Sequence, residues 1–488
     1  MPQFVLLWTD AALWLLVASL VIYSGYVRRR PHLAANWTKV FCSAPTLSAA
    51  VVLGACLLLT LADSVHFRAA LPPVAAEAGS KPQAVAYAAQ TQSLLDALLR
   101  EVVRSREATY SRPLAYVGFT KETITVNGRP QRVAPRLLHG GAHLEDPATQ
   151  WRADVLTRGI IGLAWGTLTT LVLCGVLVTL VSRRAGVRWV VGAGQMWRCQ
   201  TRIPWRTACG TLAVLTMSGG VMVALMHGYH VFGTDVTGND VLYQTLKSVR
   251  TAFVIGTLAT LATLPLAVVL GIMAGYYKGW VDEVIQYIYT VLSSIPNILL
   301  IAACVLMVQV FLDAHPEWFE TGAERADIKL FLLCAVLGLT GWAGLCRLLR
   351  GETLKLRELD YVQAATAFGV SHGRIMLRHI FPNVAHLMLI VTVLEFSGLI
   401  LYEAVLSYVG VGVDPSMNSF GSMINFSRNE MGRDPLVWWP FAAAFFFMVM
   451  LVLAANLFAD GVQQAFDPHA RTFKPRLVQP PKPRKARP

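Results

Sequence analysis

Glu395 stands near the middle of an apolar run, residues 384–412, and Glu403 follows two turns later. A carboxylate at that depth is costly in lipid and normally faces protein or water. Either residue suits the lining of a pathway for cationic cargo, the reading favoured for Glu395. For Glu403 a cap or a pairing with a neighbouring helix stands beside it. His227 and His230, three apart, and His139 and His143, four apart, have spacings compatible with metal ligands. They lack cysteine or carboxylate partners at fixed spacing, so surface histidines are expected. The chain has no G-x-x-x-x-G-K-[ST] loop and no Gly-Lys pair, hence no usual cradle for a nucleotide phosphate. HExxH is absent.

These groups need a membrane frame. At 488 residues, with 55% hydrophobic and 15% charged residues, the chain is too apolar for a soluble protein. A helix crosses the hydrocarbon core with about 20 apolar residues. Such runs lie at 4–26, 46–62, 159–181, 207–226, 251–276, 284–311, 328–348, 384–412 and 438–458, predicting an all-α integral membrane protein with roughly nine crossings. Arg28, Arg29 and Arg30 follow the first run without a small-residue cleavage site, marking it as a retained anchor. The net charge of +13 is spread between apolar runs, in alternate connections. It sets topology and does not point to nucleic acid: the N-terminus is expected outside, the C-terminus in the cytoplasm. Segment 63–158 falls outside despite its arginines, because long loops translocate largely regardless of charge. All eight cysteines fall in spans or cytoplasmic connections and read as small packing residues. Pro265 and Pro296 interrupt long helices, as hinges or as static kinks.

Three blocks are expected. Residues 1–206 form an N-terminal extension with three spans and the outside segment, 207–464 a transport core, and 465–488 a basic tail. Within the outside segment, 84–103 has helical composition, and 115–133 alternates around Asn127-Gly128, a hairpin signal.

Residues 354–383 are a polar insert between apolar runs. Leu354, Tyr361, Ala365 and Phe368 recur at helical spacing, and Ala364 and Ala365 keep the surface shallow. Gly369 supplies a left-handed turn, Ser371 a cap for the next helix, and Pro382 a stop before the chain returns to the membrane. Two short helices meeting in an elbow result. From periodicity alone, an amphipathic loop resting on lipid is the favoured reading.

The residues themselves resemble a family. Asp360, Tyr361, Val362, Ala364, Ala365, Gly369 and Ser371, followed by Arg378, His379, Ile380, Pro382 and Asn383, are similar to the EAA loop of bacterial ABC-importer permeases of the oligopeptide, dipeptide and nickel type. Gln363, Phe368 and Phe381 depart from it while keeping size or polarity. Gly233 to Asp240 resembles the segment before the family's second core helix, with Asn239 for arginine; Glu403 to Gly410, Ser419-Phe420-Gly421 and Asp467-Pro468 resemble later motifs. The likeness covers about residues 232–469.

That resemblance implies a type I importer fold and a permease subunit that is not itself an enzyme. It binds no cofactor; ATP and Mg are used by two partner ATPases. Further partners are a second permease, a periplasmic or lipid-anchored binding protein and membrane lipid, in a bacterial inner membrane. Asp360, Tyr361, Ala364, Ala365, Gly369, Arg378, His379, Pro382 and Asn383 are implied to couple to the ATPases; Glu395, Glu403 and Pro296 are candidates for the pathway, and no metal site is assigned. Peptides or related small solutes are the expected cargo. The alternatives are an ion-coupled secondary transporter with Glu395 as proton carrier, or an importer of nickel or another non-peptide solute.

Overall fold

The computed structural model describes residues 3–70, 87–88, 91–126, 129–198, 201–319 and 321–466. In chain order the helices are α1 (Trp8–Arg29), α2 (Pro31–Val40), α3 (Ala44–Asp63), α4 (Leu94–Leu98), α5 (Arg100–Arg104), α6 (Pro147–Ala185), α7 (Trp189–Trp197), α8 (Trp205–Met226), α9 (Val241–Tyr277), α10 (Gly279–Ser294), α11 (Asn297–Ala314), α12 (Gly322–Arg357), α13 (Asp360–Ala367), α14 (His372–Ile375), α15 (Phe381–Val409), α16 (Phe420–Glu430) and α17 (Trp439–Phe466). Nine helical stretches among the described residues are long and apolar enough to cross a membrane. Three of them, α6, α9 and α12, have 39, 37 and 36 residues. They exceed the roughly 20 residues a bilayer needs, so their polar ends project beyond it.

The expected span 284–311 is broken. Proline disfavours helical backbone in the residue before it, and Ile295 is extended (φ −89°, ψ 135°), so α10 stops at Ser294 and α11 starts after Pro296. Pro296 is therefore a helix boundary and not a bend within one crossing. Pro265, by contrast, lies inside an uninterrupted α9.

Helix α9 is the central post, packed against α12, α15 and α3, while α17 packs against α3 and α15. One apolar cluster joins Val249 and Phe253 of α9 to Ile400 of α15 and Phe447 and Leu451 of α17. Another joins Ala267 and Ile272 to Trp342 and Leu349 of α12. Helices α6 and α8 form a close hairpin whose backbones meet at Gly162, Gly166 and Gly220. Packing crosses the division expected at residue 206. From the extension, α1 lies on α12 and α3 on α9 and α17, whereas α8, expected as the first core helix, leans on α6 and α3.

Segment 63–158, together with the N-terminal residues, is partly β. Strand β1 (Gln3–Val5) and strand β3 (Gln92–Ser93) flank β2 (His66–Arg68), and β4 (Glu122–Val126) pairs antiparallel with β5 (Arg129–Val133). Val126 opposite Arg129 leaves a two-residue connection, as the hairpin signal requires; Asn127-Gly128 itself, like Cys199 and the tail from Asp467 to Pro488, lies outside the described residues. Two expectations change. Phe4 belongs to β1 and not to the first span. Of the helix expected over 84–103, the described residues form α4 and α5, starting where Ser93 and Asp96 make a capping box.

The segment is bolted to the turn before α9. Glu107 N–H donates to Gly238 O (3.0 Å), Thr234 N–H to Ser111 O (3.2 Å) and Leu114 N–H to His230 O (2.9 Å). Gly238 has φ +77°, and a Cβ there would lie 1.8 Å from Glu107 O, so both turn and docking require glycine.

Candidate functional site

After α12 the chain bends at Glu358-Leu359 and restarts as α13. Its end is closed by Val370 N–H on Ala365 O (3.1 Å), with Gly369 left-handed at φ +72°. Val362, Ile375 and Ile380 are fully withdrawn from solvent and join the cluster of Ala274 and Leu349. The elbow is therefore anchored in the body of the protein.

Its outward face differs from the expected one. Because the helix restarts at Asp360, the register of Leu354 does not carry over: Tyr361 is 44% and Phe368 87% exposed, and Val362 takes the inward position. Ala364 is exposed and Ala365 partly buried. Asp360 lies exposed in the first turn of α13, the favourable end for an anion. Ser371 occupies the N-cap of α14 but makes no side-chain cap.

Pro382 does not stop the chain. The residues Met376–Ile380 wind as a π-turn that runs straight into α15, and the wider turn relieves the clash of the proline ring with the carbonyl four residues back. Asn383 Nδ2 donates to His379 O (2.6 Å) and to the Tyr361 hydroxyl (3.1 Å), pinning α13 to the start of α15. The His379 ring lies 6.1 Å from that of Tyr361, and Arg378 is exposed. Beside the elbow, Tyr276 at the end of α9 shares a hydrogen bond with His372 Nδ1 (2.8 Å), and Arg350 of α12 grips Asp282 of α10 with two bonds (2.5 and 2.7 Å). Tyr276, Tyr277, Arg357, Gln363, Thr366 and His372 line a groove there. An exposed apolar tip on a rigid base, next to an aromatic and polar groove, is suited to receive force from another surface.

The two membrane carboxylates have different settings and are not brought together. Glu403 is fully buried, and Ser407 Oγ donates to it (2.6 Å) while accepting from Val413 N–H (3.2 Å). This is the capping arrangement, fixing the turn after α15. Glu395 is exposed and borders a small cavity among α9, α12 and α15.

Two clusters escaped sequence reasoning. Expected at the surface, His230 is instead 3% exposed, with Nδ1 2.7 Å from Asp240 and Nε2 3.5 Å from Glu107. Glu107 also accepts backbone N–H from Leu138, His139 and Gly140. Burial by itself lowers His230, but the two carboxylates outweigh it and push it up to about 9. The second cluster centres on Arg250 of α9, paired with Asp10 of α1. An arginine opening one apolar run and an aspartate within another were its signal. His143 pairs with Asp154 (2.8 Å) and His227 with Glu101 (3.5 Å), so neither closely spaced histidine pair converges on one point.

Apolar helices of spanning length around an anchored elbow define a multi-span membrane protein. Residues 267–472 match the family described as binding-protein-dependent transport system inner membrane component. The chain is similar to the oligopeptide transport system permease protein OppC of Haemophilus influenzae, 31% identical over half of this chain and 72% of the relative. It is also similar to OppC of Mycobacterium tuberculosis, 30% identical over 50% and 78% of the two chains, and to the glutathione transport system permease protein GsiD of Pectobacterium atrosepticum, 31% identical over 50% and 74%. The chain belongs to this family of ABC importer permeases.

Proposed function

We propose that this chain is one transmembrane half of an ATP-driven importer for peptides or related small solutes. It works with a second permease, two ATPases that use ATP and Mg, and an external binding protein. The N-terminus lies outside and the elbow in the cytoplasm, where ATPase closure moves α13 and, through Val362, Ile375 and Ile380, the ends of α9, α12 and α15. Asp360, Tyr361, Ala364, Ala365, Gly369, Arg378, His379, Pro382 and Asn383 are the coupling residues of this reading.

The observation that carries it is the contrast within one short element: Phe368 is 87% exposed at the tip while Ile375 and Ile380 are completely buried at the base. An exposed phenylalanine on an immobilised elbow fits a pocket on a partner. The names of the relatives above support peptides as cargo. The test is co-expression with the partner subunits followed by purification and uptake into vesicles. Phe368→Asp is expected to abolish ATP-driven uptake and ATPase recovery without unfolding the chain. Uptake driven by a proton gradient, with no ATPase recovered alongside the wild-type chain, would sink the proposal.

A further inference from the structure

Glu395 lines a cavity, where α9, α12 and α15 meet, with room for about one water-sized group. Among the described residues no hydrogen bond or ion pair joins Glu395 to another side chain. The remaining polar wall consists of Thr260, Thr263 and Thr392. Each of these hydroxyls donates its hydrogen to its own helix: Thr260 to Gly256 O (2.6 Å), Thr263 to Ala259 O (2.9 Å) and Thr392 to Met388 O (2.6 Å). What remains for the cavity is oxygen lone pairs. Thr260 and Thr263 are 5% and 8% exposed, so water reaches them poorly. Gly341 of α12 adds no side chain and leaves the space open, and Leu345 and Val391 provide an apolar flank.

A carboxylate and three acceptor-only oxygens make a site with negative charge and no donors. Its complement is a small cation that brings its own donors. A primary ammonium group has three N–H donors on a compact head. A guanidinium is planar and larger, and a bare calcium ion needs six to eight oxygens. We propose that this cavity is a subsite for a primary ammonium group of the cargo, with Glu395 as countercharge and the threonine oxygens as hydrogen-bond acceptors. The inference rests on the importer reading and deepens it. In a peptide, either the N-terminal ammonium or a lysine side chain supplies the group.

The subsite is tested without knowledge of the cargo by carbodiimide modification of Glu395 in the purified complex, with Glu395→Gln as the blank. Methylammonium is expected to slow the modification, and tetramethylammonium, which has the charge but no N–H, is not. No slowing, or equal slowing by both, overturns the subsite. In uptake, Glu395→Gln is expected to reduce transport of free-amine peptides about tenfold, the cost of one charged hydrogen bond, and to spare peptides blocked at every amine. Comparing N-acetylated lysine peptides with lysine-free peptides tells which ammonium is held. An equal loss for blocked peptides means a structural role and overturns the proposal. If the wild-type complex carries no peptide while methylammonium still protects, the peptide reading fails and the subsite stands.

Discussion

Arg250 of α9 and Asp10 of α1 meet at 2.6 Å with both side chains withdrawn from solvent, so the central helix of the bundle draws its countercharge from the N-terminal extension. The contact is part of a network. His66 lies 2.7 Å from Asp10, Asp63 lies 3.9 Å from Arg250, and Lys247, one turn before Arg250, reaches Asp63 (3.4 Å) and Asp96 (2.8 Å). Breaking one half of a buried pair strands the other charge, at a cost of about 3–5 kcal/mol. Asp10→Ala is therefore expected to lower the thermal stability of the purified protein sharply, and Asp10→Ala with Arg250→Met to recover most of the loss. If the double variant is no better than the single, the pair is not the cause.

Deleting residues 1–184 removes Asp10, Asp63 and Asp96 together and leaves Arg250 and Lys247 without those partners. The deleted protein is expected not to accumulate in the membrane. Excising the β4–β5 hairpin spares the network and is expected to leave the chain folded, with intact accumulation as the check. Loss of uptake in that variant would then assign the hairpin a role in transport.

The clasp of Glu107, His230 and Asp240 has a definite pH dependence. His230 is raised to about 9, so its stabilisation is complete below its ordinary value of 6.5 and is lost as pH climbs through about 9. Glu107 is raised by burial, but His230 and the three backbone N–H donors bring it down to about 2; its stabilisation is complete above 4.5 and fades only as pH falls toward about 2. His139, 3.9 Å from Glu107, is the other ionisable neighbour. Hydrogen exchange at residues 107–114 is expected to accelerate between pH 7 and 10 beyond its intrinsic rise, and His230→Gln to remove that excess. The alkaline loss amounts to about 3 kcal/mol at most.

In α15, Ser407 holds Glu403, and the two substitutions separate carboxylate from cap. Ser407→Ala leaves a buried acceptor unsatisfied and is expected to cost about 1–3 kcal/mol. Glu403→Gln keeps a carbonyl oxygen for Ser407 and is expected to cost less. Thermal unfolding of both variants checks the order.

Spans were legible because about 20 apolar residues in a row have few other uses, and the elbow because Gly369 and the polar residues around it interrupt such runs. Facing was not. Whether Tyr361 or Val362 points inward depends on the helix restarting at Asp360, a matter of two residues that periodicity through Leu354 cannot register. The π-turn at Met376–Ile380 left no signal beyond Pro382, which read as a stop. The charges of the ionic network were visible but their pairing was not: Asp10 and Arg250 are 240 residues apart, and no local pattern links a charge in one apolar run to a charge beside another. Ile295-Pro296 was visible as an interruption, yet only the structure separates a bend from a boundary.

Gly369 isolates the conformational requirement of the elbow from its packing. Its φ of +72° is open to glycine, and no atom lies within 4 Å of where a Cβ would sit, so a side chain meets backbone strain and no clash. Asparagine tolerates this region, whereas a β-branched residue does not. Gly369→Asn is thus expected to keep uptake near the wild-type level. Gly369→Val is expected to lose roughly 1–2 kcal/mol of stability and, by tilting α13 against α14, most of the transport. The strain falls on the joint between Phe368 at the tip and Ile375 at the base, so ATPase recovery is expected to fall with uptake for valine and not for asparagine. Equal transport by the two variants would mean that the angle of the elbow does not matter to coupling.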